Sequence, residues 1–266
     1  MGKFNKLFEI DKFAINLAGI YLSLVRFPKK LKYKKLLYRN KEIIHKRKSD
    51  KCYVCGLGSS LKQVDLKKLD GDTLVVNRFY KFDKDNSFCP TYYCVIDDSF
   101  AELKYRDELL KIINSYKDTT FILNASLFDI LNKKFPNNKN LYYQCAWKGT
   151  FNSNKNIDFS NIIPIMGNVI SNAIAFSLYL GYKEIVLLGC DFNTFASQKE
   201  DHCYDVVDNK RTITLAFELF CYSFVADTHY ELQKYAKKNG VTIINATQGS
   251  LLDAYVRDEN YVSKIN

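Results

Sequence analysis

From residue 51 onward the chain alternates short apolar runs with stretches of helical periodicity. The runs at 52–55, 74–77, 92–96, 120–123, 183–188 and 241–244 read as strands. The stretches at 102–116, 126–135, 168–180 and 212–238 read as helices, with Ser126 a cap for the second and Gly181 closing the third. The strands are continuously apolar, as expected when both faces of a sheet are covered. Strands alternating with helices predict an α/β domain with a mostly parallel sheet and helices on both faces. The polar region 137–161 reads as loops with short strands, and 193–208 as a loop.

Sheets of this kind hold ligands beyond the carboxyl ends of their strands. The residues at those ends are 56–60, Asn77 and Arg78, Asp97 and Asp98, 191–193, and 245–250. They are expected to converge on one rim. The glycines of Gly56-Leu57-Gly58-Ser59-Ser60 would let backbone N–H groups approach a phosphate, with Ser60 capping the next helix or bonding a phosphate oxygen. The segment has neither the third glycine of a dinucleotide fingerprint nor the Gly-Lys-Ser/Thr of a P-loop. Asn77 and Arg78 would hold a base or phosphate, or cap a turn. Asp97 and Asp98 would bind ribose hydroxyls or a divalent ion, or serve as turn residues. Of three histidines, His45 reads as surface and His229 as structural within a helix. His202, in a loop near the rim, is placed to act as a general base, or is a solvated loop residue.

The charge is unevenly distributed. The formal net charge is +10, from 39 Lys and Arg against 29 Asp and Glu. Residues 1–51 carry 15 of the bases and four of the acids, so the body beyond them is near neutral. This excludes a nucleic-acid enzyme with a basic cleft, because a phosphate backbone needs cations along the whole contact. Residues 1–50 therefore read as a basic helical arm, and 51–266 as the catalytic domain. Residues 4–25 have helical spacing and end in a 13-residue apolar run that Pro28 stops. A bilayer span needs about 20 residues. The run and the basic stretch to residue 48 fit an interfacial anchor on an anionic membrane, or a helix packed on the body or on a sister subunit of a homo-oligomer.

Eight cysteines without a secretory signal suggest a reducing cytoplasm and a location at the inner face of the membrane. Cys52 and Cys55 have CxxC spacing, but within a strand their sulfurs cannot converge on one ion. They read as core residues.

Three separated pieces resemble the bacterial sialyltransferase family that includes the enteric lipooligosaccharide enzymes. The first runs from Val54 through Gly56-Leu57-Gly58-Ser59-Ser60 to Lys62, where the family has Gly-Asn-Gly-Pro-Ser-Leu. The second is Asn77-Arg78-Phe79-Tyr80, resembling Asn-Gln-Phe-Tyr. The third is Ile170-Ser171-Asn172-Ala173, resembling Thr-Ser-Gly, with the run from Leu180-Gly181-Tyr182 to Gly189-Cys190-Asp191-Phe192.

The resemblance implies one Rossmann-like, GT-A-like domain. It would move sialic acid from CMP-sialic acid to a hydroxyl of a glycan or glycolipid acceptor at the cell surface, with inversion and without a metal or other cofactor. Matched to the family, Gly56, Leu57, Gly58, Ser60, Asn77, Arg78, Asp97, Ser171, Asn172, Asp191 and Asn193 would bind substrate, and His202 would be the base. Leu57 replaces a nucleotide-binding Asn, Asp97 an Asn, and Asn193 a Tyr that steadies the leaving phosphate. Tyr204 would substitute for that Tyr. The pattern around Asp97 and from Gly189 to Tyr204 is equally similar to the pterin diphosphokinase-like domain of surface-polysaccharide loci. Other readings are a transferase of another nucleotide-activated sugar and a non-enzymatic membrane scaffold.

Overall fold

The computed structural model describes residues 13–14, 16–18, 20–21, 24–25, 27–196, 202–204 and 213–265. The expected first turns of the arm, residues 4–12, and the loop stretches 197–201 and 205–212 lie outside them.

The main sheet has eight strands, all paired in parallel. They are β1 (Lys51–Cys55), β2 (Asp72–Val76), β3 (Tyr92–Val95), β4 (Thr120–Asn124), β5 (Leu141–Gln144), β8 (Glu184–Leu188), β9 (Thr242–Asn245) and β10 (Val256–Arg257). In space the order is β10-β9-β8-β1-β2-β3-β4-β5. The chain starts in the middle, builds outward through β5, then returns to the other side of β1. Strands β6 (Ala146–Thr150) and β7 (Ile163–Ile165) form a separate parallel pair.

Strand alternation divides the core in two. Tyr53 and Cys55 face one cluster, with α2 (Leu103–Ser115) and α3 (Phe128–Lys134). Cys52 and Val54 face the other, with α4 (Val169–Leu180) and α5 (Leu215–Lys238). The two sulfurs of the CxxC spacing thus lie on opposite faces of the sheet, and burial pushes the Cys52 thiol up to about 12. Helix α4 is buried on nearly every side, which its mixture of Ala, Ile, Phe and Leu allows. Asn168 and Ser171 close its start as a reciprocal capping box, and Gly181 closes its end at φ +81°.

Strands β5 and β6 are short strands of the kind expected within 137–161, and β5 is an edge strand held by its pairing with β4. The structure corrects two expectations. The turn before α3 is capped by Asn124, whose side chain accepts from Ser126 N at 3.0 Å. Pro28 opens the next helix. It lies in the first turn of α1 (Phe27–Tyr38), where a missing N–H costs no hydrogen bond.

The largest correction concerns the boundary at residue 50. Leu37 and Ile43 are completely buried in the two core clusters. Asn40 Nδ2 donates to the carbonyls of Tyr143 and Phe159, each at 2.7 Å. Arg39 donates to the Lys139 carbonyl at 2.6 Å. Residues 31–48 therefore belong to the domain and cover its β5 edge. Among the described residues further upstream, Phe13, Leu17, Ile20, Tyr21, Leu24 and Val25 are exposed. No helix among the described residues is long and apolar enough to cross a membrane.

Candidate active site

The order β8-β1-β2 makes β1 the switch point of the sheet. At such a reversal of strand order, open α/β sheets hold their ligands. Among the cavities at this rim, two share several lining residues. The smaller, about 250 Å³, lies over β1, β2 and β8. The larger, about 660 Å³, lies over β2 to β5. Asn77, Asn168 and Val169 line both.

The glycine turn after β1 does a different job from the one expected. Gly56 N donates to Leu188 O at 2.7 Å and Gly58 N to Gly189 O at 2.9 Å. A Cβ on Gly56 would stand 2.3 Å from Gly189 O, and one on Gly58 2.4 Å from the Asp191 carboxyl carbon. These glycines exist so that the β1 and β8 loops can touch. Their N–H groups serve the protein, not a phosphate. Asp191 explains Ser60 as well. Its carboxylate accepts from Ser60 N at 3.2 Å and from the Ser60 hydroxyl. Asp191 is thus a buried clamp on the turn that follows β1 that also borders the smaller cavity, and Ser60 lines neither of these cavities but a third, of about 320 Å³, with Gly189, Thr247 and Gln248. Gly56→Ala is expected to cost about 1–3 kcal/mol or more, because the clash is with backbone that cannot rotate away. Chemical denaturation of the variant checks this.

Other candidates are also engaged elsewhere. Arg78 lines neither cavity. Its guanidinium lies 3.2 Å from Glu108 and 3.6 Å from Asp97, between the rings of Phe100 and Tyr105. Ser171 is buried, and its hydroxyl donates to the Met166 carbonyl within the α4 cap. The segment 245–250 folds beneath the β8 loop. Thr247 Oγ1 accepts from Cys190 N at 3.0 Å, and Ser250 Oγ donates to Cys190 O at 2.7 Å. These residues hold the turn that carries Asp191.

The rim does gather Leu57, Asn77, Asn193 and His202 around the smaller cavity. Asp97 and Asn172 line the larger one. Asp97 also accepts from Ser99 N at 2.9 Å as a turn cap. Asn77 has φ +39°, and Phe192, also on the smaller cavity, has φ +56°. Left-handed backbone at a bulky residue costs about 1–3 kcal/mol and persists only where the surroundings impose it. Two such residues face one cavity.

His202 is brought there by backbone pairing. It forms an antiparallel bridge with Gly58, and Cys203 N donates to Leu57 O at 2.8 Å. The loop is thereby tied to the turn after β1, and the half-buried imidazole faces the cavity. Tyr204 lies behind it, its ring stacked on the imidazole at 5.0 Å and 15°. Tyr204 lines neither cavity, so it does not stand where it could steady a leaving phosphate. Its contact instead fixes the plane of the His202 ring.

Sequence reasoning missed four residues. Tyr222 of α5 lines the smaller cavity, its hydroxyl bonded to that of Thr194. His229 lines the same cavity from the next turns of α5, fully buried. Its Nδ1 lies 2.8 Å from the Tyr255 hydroxyl, its Nε2 has no partner among the described residues, and burial pushes its pKa down to about 3. Tyr33 of α1 and Trp147 of β6 line the larger cavity with ring centroids 6.4 Å apart. The arm thus contributes a wall of the site. Neither lining includes a Lys or Arg among the described residues. Hydroxyl, amide and imidazole groups, with the carboxylates of Asp97 and Asp191, are what these walls offer a ligand. Among the described residues no three His, Cys, Asp or Glu side chains come together as a metal-holding group.

Fold and rim together define a single Rossmann-like α/β domain with a two-part cavity at its switch point. No protein-family model matches the chain, and no curated protein matches it. Among solved structures it is similar to the sialyltransferase CstII from Campylobacter jejuni in complex with cytidine-5'-monophosphate, at 20% identity over 78% of this chain and 84% of that one, with a TM-score of 0.48. It is similar to CST-II in complex with a trisaccharide acceptor and CMP, at 20% identity over 77% and 84%, TM-score 0.49. The monofunctional alpha-2,3-sialyltransferase Cst-I from Campylobacter jejuni is similar at 16% identity over 78% and 79%, TM-score 0.49.

Proposed function

We propose that this chain is a glycosyltransferase, a sialyltransferase that takes its sugar from CMP-sialic acid. The observation that carries the reading is the backbone bridge between Gly58 and His202, which sets an imidazole on the cavity at the switch point. Asn77, the start of the second sialyltransferase-like motif, lines the same cavity. The first and third of these motifs meet where the Gly56–Gly58 turn touches the Gly189–Asp191 turn.

In this mechanism the acceptor hydroxyl gives its proton to His202 as its oxygen attacks the anomeric carbon. A carbon–oxygen bond forms on one face of the sugar. On the other, the bond to the phosphate oxygen breaks, and its electron pair leaves with CMP, so the carbon inverts. A neutral imidazole suits proton removal near pH 7. Binding falls to Asn77, Asn193, Tyr222 and backbone groups, because Arg78 is held by acids outside the cavity. No metal is required. The acceptor is a glycan or glycolipid, and the exposed apolar residues from 13 to 25, followed by the basic tract, hold the enzyme at the anionic inner face of the cell membrane.

A thermal-shift panel of CMP, CDP, UDP, GDP and ATP, with and without magnesium, tests this. CMP alone is expected to raise the melting temperature, and EDTA to leave transfer unchanged. Stabilisation only by ATP with magnesium, and activity lost on EDTA, would establish the diphosphokinase reading, in which Asp97 helps hold the ion. Stabilisation only by UDP or GDP would point to a different sugar donor. No stabilisation by any nucleotide would leave a scaffold.

A further inference from the structure

The smaller cavity contains two histidines with opposite environments. His202 is half-buried on a loop, while His229 is fully buried on α5. The hydrogen-bond accounting of His229 decides its tautomer. The Tyr255 hydroxyl is buried against Nδ1 at 2.8 Å. If Nδ1–H donated to Tyr255, both the phenolic hydrogen and the Nε2 lone pair would be left without partners. If Tyr255 donates to Nδ1, one group is left over, Nε2–H. The second arrangement strands fewer buried groups and uses the phenol as the donor it prefers to be.

Nε2 is then a hydrogen-bond donor with no partner among the described residues, on a side chain that lines the cavity. A buried donor of this kind is normally met by something. The surrounding walls indicate what. Phe192 presents its ring at 85° to the imidazole, 5.8 Å between centroids. Tyr222 packs on Phe192 at 4.7 Å, and Leu252 and Cys190 also line the cavity, with the polar Asn77, Asn168, Asp191 and Asn193. Aromatic rings around a buried neutral donor, with a carboxylate and no cation in the described lining, suit a heterocyclic base better than a phosphate at the His229 side of the cavity. Burial keeps the imidazole uncharged, and with its proton on Nε2 it cannot serve as the base on the cavity side. The two histidines therefore have separate tasks.

We propose that His229 is the base-reading residue of this site, donating from Nε2 to a carbonyl oxygen of the pyrimidine in the smaller cavity, with Tyr255 holding the imidazole in the donor tautomer. This rests on the reading of that cavity as the nucleotide site. The test compares wild type with His229→Asn, His229→Gln and Tyr255→Phe, measuring CMP and AMP affinity by calorimetry and fold by circular dichroism. His229→Asn keeps a group for Tyr255 but has none at Nε2. It is expected to bind CMP about tenfold more weakly and to lose most of its preference for CMP over AMP, since a missing donor to a buried carbonyl costs about that factor. His229→Gln, whose amide reaches the Nε2 position, is expected to stay within a few-fold of wild type. Tyr255→Phe leaves the imidazole in place and releases its tautomer, so it should weaken CMP binding several-fold. If His229→Asn does not fold, this variant carries the test. Unchanged CMP affinity and base preference in His229→Asn, or in Tyr255→Phe where the former is unfolded, would overturn the role of His229 alone. A wild-type chain that binds neither nucleotide would overturn the reading of the cavity along with it.

Discussion

Replacing His202 by Ala should lower transfer at least a hundredfold while leaving CMP affinity within a few-fold of wild type. General base catalysis by a positioned imidazole contributes about 10²–10⁴ in rate. The substitution removes the proton acceptor but leaves Asn77, Asn193 and the aromatic walls in place. The bridge to Gly58 and the bond from Cys203 N to Leu57 O are backbone contacts, so they survive the loss of the ring. The variant should therefore fold, and single-turnover kinetics with CMP-sialic acid would isolate the chemical step. Equal turnover in mutant and wild type would remove His202 from the mechanism. A parallel loss of CMP affinity would instead make it a binding residue. The stacked Tyr204 offers a finer reading: its loss should reduce turnover less, because it orients the imidazole without touching substrate.

Deleting residues 1–48 should abolish the fold, whereas deleting only 1–26 should spare it. The longer deletion removes Leu37 and Ile43 from the two faces of the core, and the Asn40 side chain from two buried carbonyls. Large-to-small changes at such positions cost about 2–5 kcal/mol each, against a total stability of about 5–15 kcal/mol. It also strips Tyr33 from the larger cavity. Thermal melts followed by circular dichroism would distinguish the two chains. The shorter deletion should melt near wild type and no longer sediment with anionic vesicles, because it removes the exposed apolar residues while keeping the domain intact. A cooperative, wild-type-like melt of the longer deletion would return residues 31–48 to the status of an appendage. Retained vesicle binding by the shorter one would move the membrane contact to the basic tract or elsewhere.

The same contrast explains what could be read ahead of the structure. Strands at 52–55, 74–77, 92–96 and 183–188 announce themselves, because a strand buried on both faces must be apolar throughout. Helix α4 and its glycine stop are legible for similar local reasons. Strand β5 is legible only as one of the short strands expected within 137–161, since its bounds and its place at the edge come from pairing with β4. The glycines after β1 were visible as a close-approach turn, but what approaches was not. The sequence pattern suggests a phosphate, whereas the molecule brings up the β8 loop and the Asp191 carboxylate. Arg78 looked like a local cation until Glu108 and Asp97 were seen beside it. His229 looked structural because helical periodicity assigns it a face without saying that the face borders a cavity.

The sequence by itself determined the α/β class and most of its strands and helices, because apolar runs and periodicity act over a few neighbours. Only the tertiary structure decided which polar groups remain available to a ligand. Hydrogen bonds and ion pairs between residues 19 to 131 positions apart engage Ser60, Asp191 and Arg78. Contacts over similar distances turn His202, Tyr222 and His229 toward one cavity. Such pairings depend on how β8 returns beside β1, and no local pattern encodes that approach.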